Sequence, residues 1–194
     1  MPKFDLFLAG IGGQGILTIA DILCTAAAEK NLTVNYYPTK GMSQRGGFVK
    51  AQLRISEKLQ GPVIPPQSAD LLLAMELSES LKGLPYLKTG GEALVYAHVW
   101  APTAVQLGEA TYPAREQVAE QFAAVDTKLT MIEPWVNSAR GENIFVLGAA
   151  IGNTTLGKLF APAQVEEIIC RKFPKAAEIN SKIFRDGIQA RNVL

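Results

Sequence analysis

The chain opens on an apolar run, Phe4-Asp5-Leu6-Phe7-Leu8-Ala9, that ends in Gly10-Ile11-Gly12-Gly13-Gln14-Gly15. Phe4, Leu6, Phe7 and Leu8 predict a buried strand over Phe4 to Ala9, and the glycines turn it into a helix from Ile16 to Glu29. In that helix Ile16, Ile19, Ala20, Leu23, Ala26 and Ala27 recur at helical spacing, while Thr18, Asp21 and Thr25 fall off the apolar face. A second strand is expected over Thr33 to Tyr37. Phe48 to Ile55 then alternates, with Val49, Ala51, Leu53 and Ile55 on one side and Lys50, Gln52 and Arg54 on the other. This pattern predicts an antiparallel or edge strand with one wet face. Ser56 to Gln67 holds Gly61-Pro62 and Pro65-Pro66 and reads as loop.

Asp70 to Met75 is a continuous apolar run followed by Glu76, the signature of a buried parallel strand with a polar carboxyl end. A short helix near Ser78 to Leu81 and a turn at Lys88-Thr89-Gly90-Gly91 lead to a strand at about Ala93 to Val99. Trp100 to Pro113 is irregular, Ala114 to Ala123 predicts a helix, and Lys128 to Ile132 a last short strand. From Asn143 onward the pattern is helical: Ile144 to Ile151, Pro162 to Phe173 with proline near the helix start, and Ala176 to Arg191. Repeated strand–helix–strand units predict an α/β fold, a Rossmann-like, doubly wound and mostly parallel sheet with a helical C-terminal part. At 194 residues the chain suits one domain spanning 1–194. Both glycine-rich loops are expected at the carboxyl edge of the sheet.

Charge excludes some partners. With 19 basic and 18 acidic residues, a net charge of +1 and no long like-charge run, nothing favours nucleic acid or an anionic membrane. Met1-Pro2-Lys3 leads into the first strand without a basic leader, and no apolar stretch reaches the roughly 18 residues that span a bilayer. A cytoplasmic location is the expectation. Cys24 and Cys170 lie apart in apolar helical patterns and form no CxxC series, so neither an iron–sulfur cluster nor a structural zinc is expected on this chain.

Chemistry concentrates in two glycine-rich segments. Gly10, Gly12 and Gly15 fit the dinucleotide fingerprint in its strand-to-helix context. Gly10 to Gly15 therefore predicts either an anion cradle at a helix N-terminus or a tight turn that serves packing alone. A dinucleotide site also wants a carboxylate at the end of the second strand to hold the ribose, about 20 residues on. Tyr37-Pro38-Thr39 supplies none. The second segment is Gly41-Met42-Ser43-Gln44-Arg45-Gly46-Gly47. Arg45 offers a fork of donors to a phosphate or carboxylate, or to a partner subunit, and Ser43 and Gln44 either join it or cap a turn. Glu76 is either a site residue or a carboxylate at a helix N-terminus. His98 reads as a satisfied strand histidine, and the two cysteines as inert small hydrophobes.

These two segments, with Ala69-Asp70-Leu71-Leu72-Leu73-Ala74-Met75-Glu76, Asn143…Leu147-Gly148-Ala149 and Glu178-Ile179-Asn180…Phe184…Gly187, resemble the gamma domain of 2-oxoacid:ferredoxin oxidoreductases over nearly the whole chain. The nearest likeness is in the indolepyruvate branch. The resemblance implies a cytoplasmic heteromer in which thiamine diphosphate and [4Fe-4S] clusters sit on a larger partner subunit. That partner decarboxylates the 2-oxoacid, here indolepyruvate or an arylpyruvate by the same likeness, passes electrons to ferredoxin and forms an acyl-coenzyme A. It further implies that the gamma-type chain has no catalytic residue, metal or cofactor of its own. Its contribution would be to complete the complex and to contact coenzyme A, the cosubstrate. Gly10, Gly12, Gly13, Gln14, Gly15, Ser43, Gln44, Arg45, Gly46 and Gly47 are the candidate contact residues. Two other classes stay open on the residues alone: an independent nucleotide- or flavin-binding Rossmann-type enzyme, and an interaction module without a ligand.

Overall fold

The structure is a computed structural model and describes residues 3–39, 47–136 and 140–194. The strands are β1 (Phe4–Ile11), β2 (Thr33–Thr39), β3 (Phe48–Ser56), β4 (Ala69–Ala74), β5 (Leu87–Tyr96) and β6 (Lys128–Ile132). The helices are α1 (Ile16–Glu29), α2 (Thr103–Gln106), α3 (Arg115–Ala123), α4 (Glu142–Asn153), α5 (Leu156–Leu159), α6 (Pro162–Lys172) and α7 (Ala177–Ile188). One sheet runs in the order β2-β3-β1-β4-β5-β6. β1, β4, β5 and β6 are mutually parallel, and β3 runs antiparallel to both β1 and β2. The expected doubly wound, mostly parallel sheet is what forms.

From β1 the chain moves one way across the sheet through α1, and from β4 the other way towards β6. Right-handed crossovers in opposite directions put α1 and α3 on opposite faces. The α1 face is the heavier: Leu6, Leu8, Leu53, Leu71, Leu73 and Leu94 pack beneath α1, α4, α6 and α7. The other face, with Phe7, Ala9, Leu72, Ala74 and Val95, is covered by Val118 and Phe122 of α3, by Ile64 and by Leu77. All six apolar positions named for α1 are buried, with Ile22 besides.

Three expectations are corrected. β3 has no wet face. Its polar side is roofed by the loop after Ser56: buried Gln52 accepts the Ile64 N–H at 2.6 Å, and Arg54 donates to the carbonyls of Gly61 and Val63 at 3.0 and 3.1 Å. The same guanidinium pairs with the buried Asp5 carboxylate, its cross-strand neighbour on β1, at 3.1 Å. β5 starts earlier than expected, and Lys88-Thr89-Gly90-Gly91 lies within it. Ala69 pairs with Leu87 but Leu71 pairs with Glu92, so the extra residues form a bulge, eased by Gly90 at φ 70°. β5 also stops at Tyr96, which leaves His98 beyond the strand. β2 runs on through Pro38, as an edge strand tolerates. Among the described residues no helix is long and apolar enough to cross a membrane.

Candidate functional site: the crevice at the carboxyl edge

The strand order reverses between β1 and β4, and ligands of open α/β sheets bind outside the carboxyl ends at such a switch point. Here Ile11, Gly12, Gly13, Gln14 and Gly15 face His98, Trp100, Arg140, Gly141, Glu142 and Asn143 across a crevice of about 610 Å³. That volume is in the range of small-molecule sites.

The glycines divide the work. A side chain at Gly10 would meet Ile16 Cδ1 at 2.6 Å, Gln14 Oε1 at 2.8 Å and Met75 Cβ at 2.9 Å, so this position serves close packing. Gln14 braces the turn: its Oε1 accepts the Ile11 N–H at 2.8 Å and its Nε2 donates to the Met75 carbonyl at 2.7 Å. Gly12 donates its N–H to the Gly47 carbonyl at 2.9 Å, which brings the end of the second glycine-rich segment against the first. Gly13 is exposed at φ 102°, and a Cβ there would have nothing within 4 Å. Gly15, at φ 77°, caps α1, and a Cβ on it would stand 2.5 Å from Asn143 Nδ2. Ser43, Gln44, Arg45 and Gly46 lie outside the described residues.

Two helix N-termini thus meet at the crevice. α1 begins without a side-chain cap or an acidic residue in its first turn, so its positive end is offset by no carboxylate of its own. α4 begins at Gly141, φ 92°, with Glu142 in its first turn. The Tyr96 hydroxyl donates to Glu142 Oε1 at 3.1 Å and accepts the Trp135 N–H at 2.8 Å. Burial, reinforced by the Glu142 charge, pushes that phenol above its ordinary range, so it stays a donor.

Glu76 is fully buried beneath the rim. Its Oε2 accepts the Ser78 hydroxyl at 2.8 Å and the Glu79 N–H at 2.7 Å; its Oε1 accepts the Trp100 N–H at 3.0 Å and the Tyr112 hydroxyl. The expectation of a carboxylate at a helix start fits, since Glu79 opens a 3-10 turn. Burial and the hydrogen bond to Glu76 raise the Tyr112 phenol. His98 is half-buried at the crevice, its ring stacked 6.1 Å from that of Tyr96. Cys24 packs partly buried against the core, and burial raises its thiol to about 11, far from thiolate chemistry at neutral pH.

Topology also bears on the absent ribose acid. In the dinucleotide fold the second strand lies beside the first. Here β3 is inserted between them, which moves the end of β2 about one strand spacing, roughly 5 Å, further from the glycine loop.

Sequence reasoning missed Trp100, Tyr112, Arg140 and Gly141. Trp100 and Tyr112 sit in a segment without periodicity, and only the fold brings them to the rim. Gly141 directly before a helical run was a signal that could have been used.

The fold and the crevice define a doubly wound α/β chain with a candidate ligand site at the switch point of its sheet. The family model for pyruvate ferredoxin/flavodoxin oxidoreductase matches residues 5–190, and the chain belongs to that family. It is 33% identical to the indolepyruvate oxidoreductase subunit IorB of Pyrococcus horikoshii, over 98% of this chain and 96% of that one. Two solved structures share the fold. The gamma subunit of a keto/oxoacid ferredoxin oxidoreductase from Geobacter sulfurreducens superposes with a TM-score of 0.65 at 21% identity, over 96% of each chain. The 2-oxoglutarate:ferredoxin oxidoreductase of Magnetococcus marinus, solved with 2-oxoglutarate, coenzyme A and succinyl-coenzyme A, gives 0.68 at 20% identity, over 96% of this chain and 30% of that one.

Proposed function

We propose that this chain is the smaller, non-catalytic subunit of a thiamine-dependent 2-oxoacid:ferredoxin oxidoreductase that acts on indolepyruvate or a related arylpyruvate in the cytoplasm. The observation that carries this reading is the end-to-end match to an indolepyruvate oxidoreductase subunit. Thiamine diphosphate and the iron–sulfur clusters belong on the larger subunit, as does the docking of ferredoxin. The glycine crevice contributes to the coenzyme A site.

Three features of the crevice suit a phosphorylated cosubstrate. Gly13 leaves open space where a side chain would stand, α1 presents its uncapped start, and Arg140 lines the same crevice. Coenzyme A supplies the thiol that takes the acyl group; Gly13 and Gly15, with Ser43 and Arg45, would hold its phosphates, on a turn that the Gly12–Gly47 hydrogen bond joins to the second glycine segment. A dinucleotide is a poorer fit, for want of an acid at the carboxyl end of β2.

Reconstitution tests the assignment. The pure chain should be colourless and should turn over no 2-oxoacid, with coenzyme A-dependent ferredoxin reduction appearing once the larger subunit is added and arylpyruvates preferred over pyruvate. Decarboxylation by the chain alone at the rate of the complex would refute it.

Arg45→Ala should weaken one affinity of the complex about 10- to 100-fold, since a charge-assisted hydrogen bond contributes roughly 1.5–3 kcal/mol. Titration of coenzyme A and of the larger subunit separates the roles. A variant unchanged in both, and in turnover, would reduce the second glycine segment to a turn.

A further inference from the structure

We infer that Trp100 is a stacking platform in the crevice for the planar ring of a phosphorylated ligand, the adenine of a nucleotide, and that Glu76 is the positioning residue that holds it there. This inference rests on the reading of the crevice as part of a coenzyme A site and adds to it the group that recognises the ring.

Trp100 is 50% exposed and lines the same crevice as Gly12 and Gly13. The other tryptophan, Trp135, is half-buried and stacked on Phe145 at 5.8 Å. Trp100 lies in irregular chain after β5, where backbone freedom would ordinarily be large. Yet its backbone N–H is held at 3.0 Å by a fully buried carboxylate. Burying a carboxylate is costly unless hydrogen bonds satisfy it, and Glu76 gathers its donors from Ser78, Glu79, Trp100 and Tyr112. The effect is to lock the start of the Trp100 segment to the end of β4.

The adjacent residue does the same for the opposite wall. The Met75 carbonyl accepts from Gln14 Nε2 at 2.7 Å, so Met75 and Glu76 together tie both walls of the crevice to one strand end. The backbone that carries the indole and the glycine turn are therefore both anchored to the end of one core strand. A rigid flat aromatic beside a turn suited to phosphate matches a ligand that has both a ring and a phosphate. Each base stacked on an aromatic side chain typically contributes 1–3 kcal/mol.

The test uses the chain assembled with its larger subunit and three probes: coenzyme A, its adenine nucleotide half, and pantetheine phosphate, which has no ring. Trp100→Leu should weaken coenzyme A and the nucleotide half about 10-fold or more and leave pantetheine phosphate unchanged, while Trp100→Phe keeps most of the affinity. Glu76→Gln should weaken only the two ring-bearing probes, and by no further amount in the Trp100→Leu background. Should Glu76→Gln fail to fold, the tryptophan variants still decide the stacking role. If Trp100→Leu leaves coenzyme A affinity intact while Arg45→Ala lowers it, the stacking role is wrong and the coenzyme A reading stands. If Trp100→Leu instead splits the subunits without altering ligand affinity of the assembled complex, the indole is an interface contact and the inference is overturned. If coenzyme A binding responds to neither residue, the coenzyme A reading falls as well.

Discussion

Gly148→Ala should destabilise the protein by about 3 kcal/mol, where the same change on an open helix surface would stabilise it by roughly 1 kcal/mol. The reason is the seam between α4 and α7. A methyl at Gly148 would lie well inside contact distance of the Phe184 carbonyl oxygen and 3.1 Å from Ile188 N. Gly187 answers from the other helix, where a methyl would clash with the Phe145 carbonyl and stand 3.1 Å from Ala149 N. At Gly152 it would stand 2.5 Å from the Ile188 carbonyl oxygen. These obstacles are backbone, so no rotamer change relieves them, and the helices must separate. For a chain of this size the loss corresponds to a fall in Tm of roughly 6–12 °C. Denaturant titration of the two proteins checks it. A stabilised Gly148→Ala variant would mean that the seam opens at no cost and that helix propensity decides.

The same seam shows what the sequence could and could not convey. Leu147-Gly148-Ala149 and Phe184…Gly187 are part of the family likeness, but their wording does not reveal that the two glycines face each other; that follows from the packing of α4 on α7. Elements whose periodicity is locally determined were legible. α1 and β6 match their expected bounds, because apolar spacing and glycine punctuation decide them without outside help. What failed depended on partners distant in sequence. The polar side of β3 reads as wet because alternation records only that residues are polar, whereas Gln52 and Arg54 are buried by a loop whose only internal signals are turn residues. The glycines of β5 read as a turn because a bulge and a turn use the same residues.

The candidate site divides along the same line. Gly12, Gly13 and Gly15 face the crevice and Gly10 packs beneath it, a distinction that the spacing of glycines cannot make. Gln14 reads as a possible ligand donor, and in the fold both ends of its amide are bound to backbone. Glu76 was visible as a polar residue at a strand end, but Tyr112 and Trp100, which complete its network, carry no local pattern. The insertion of β3 between β1 and β2 is the most consequential hidden feature. It alters what a dinucleotide fingerprint can do, and no residue within the fingerprint announces it.

Asp5→Ala should destabilise the protein by about 3–5 kcal/mol, the cost of leaving one partner of a buried ion pair alone. Asp5 is fully buried, and Arg54 is 7% exposed. Arg54 Nε and Nη2 reach the two Asp5 oxygens at 3.1 and 3.4 Å, and Lys3 approaches Oδ2 at 2.7 Å from the rim. Without the carboxylate the guanidinium keeps the Gly61 and Val63 carbonyls, which accept hydrogen bonds but do not balance its charge. Removing both charges should cost less than removing one. Asp5→Ala combined with Arg54→Met should therefore recover at least about 2 kcal/mol of the single-variant loss, as expected when an unpaired buried charge is the penalty. Arg54→Met also frees the loop that roofs this face, so limited proteolysis should cut between Glu57 and Gln67 in both Arg54 variants, at folded-state conditions, faster than in the parent. Urea titrations of the four proteins give the coupling. A single-variant loss below about 1 kcal/mol, or strict additivity, would show that water reaches the Arg54 head group and that the pair is held by packing of the loop rather than by charge.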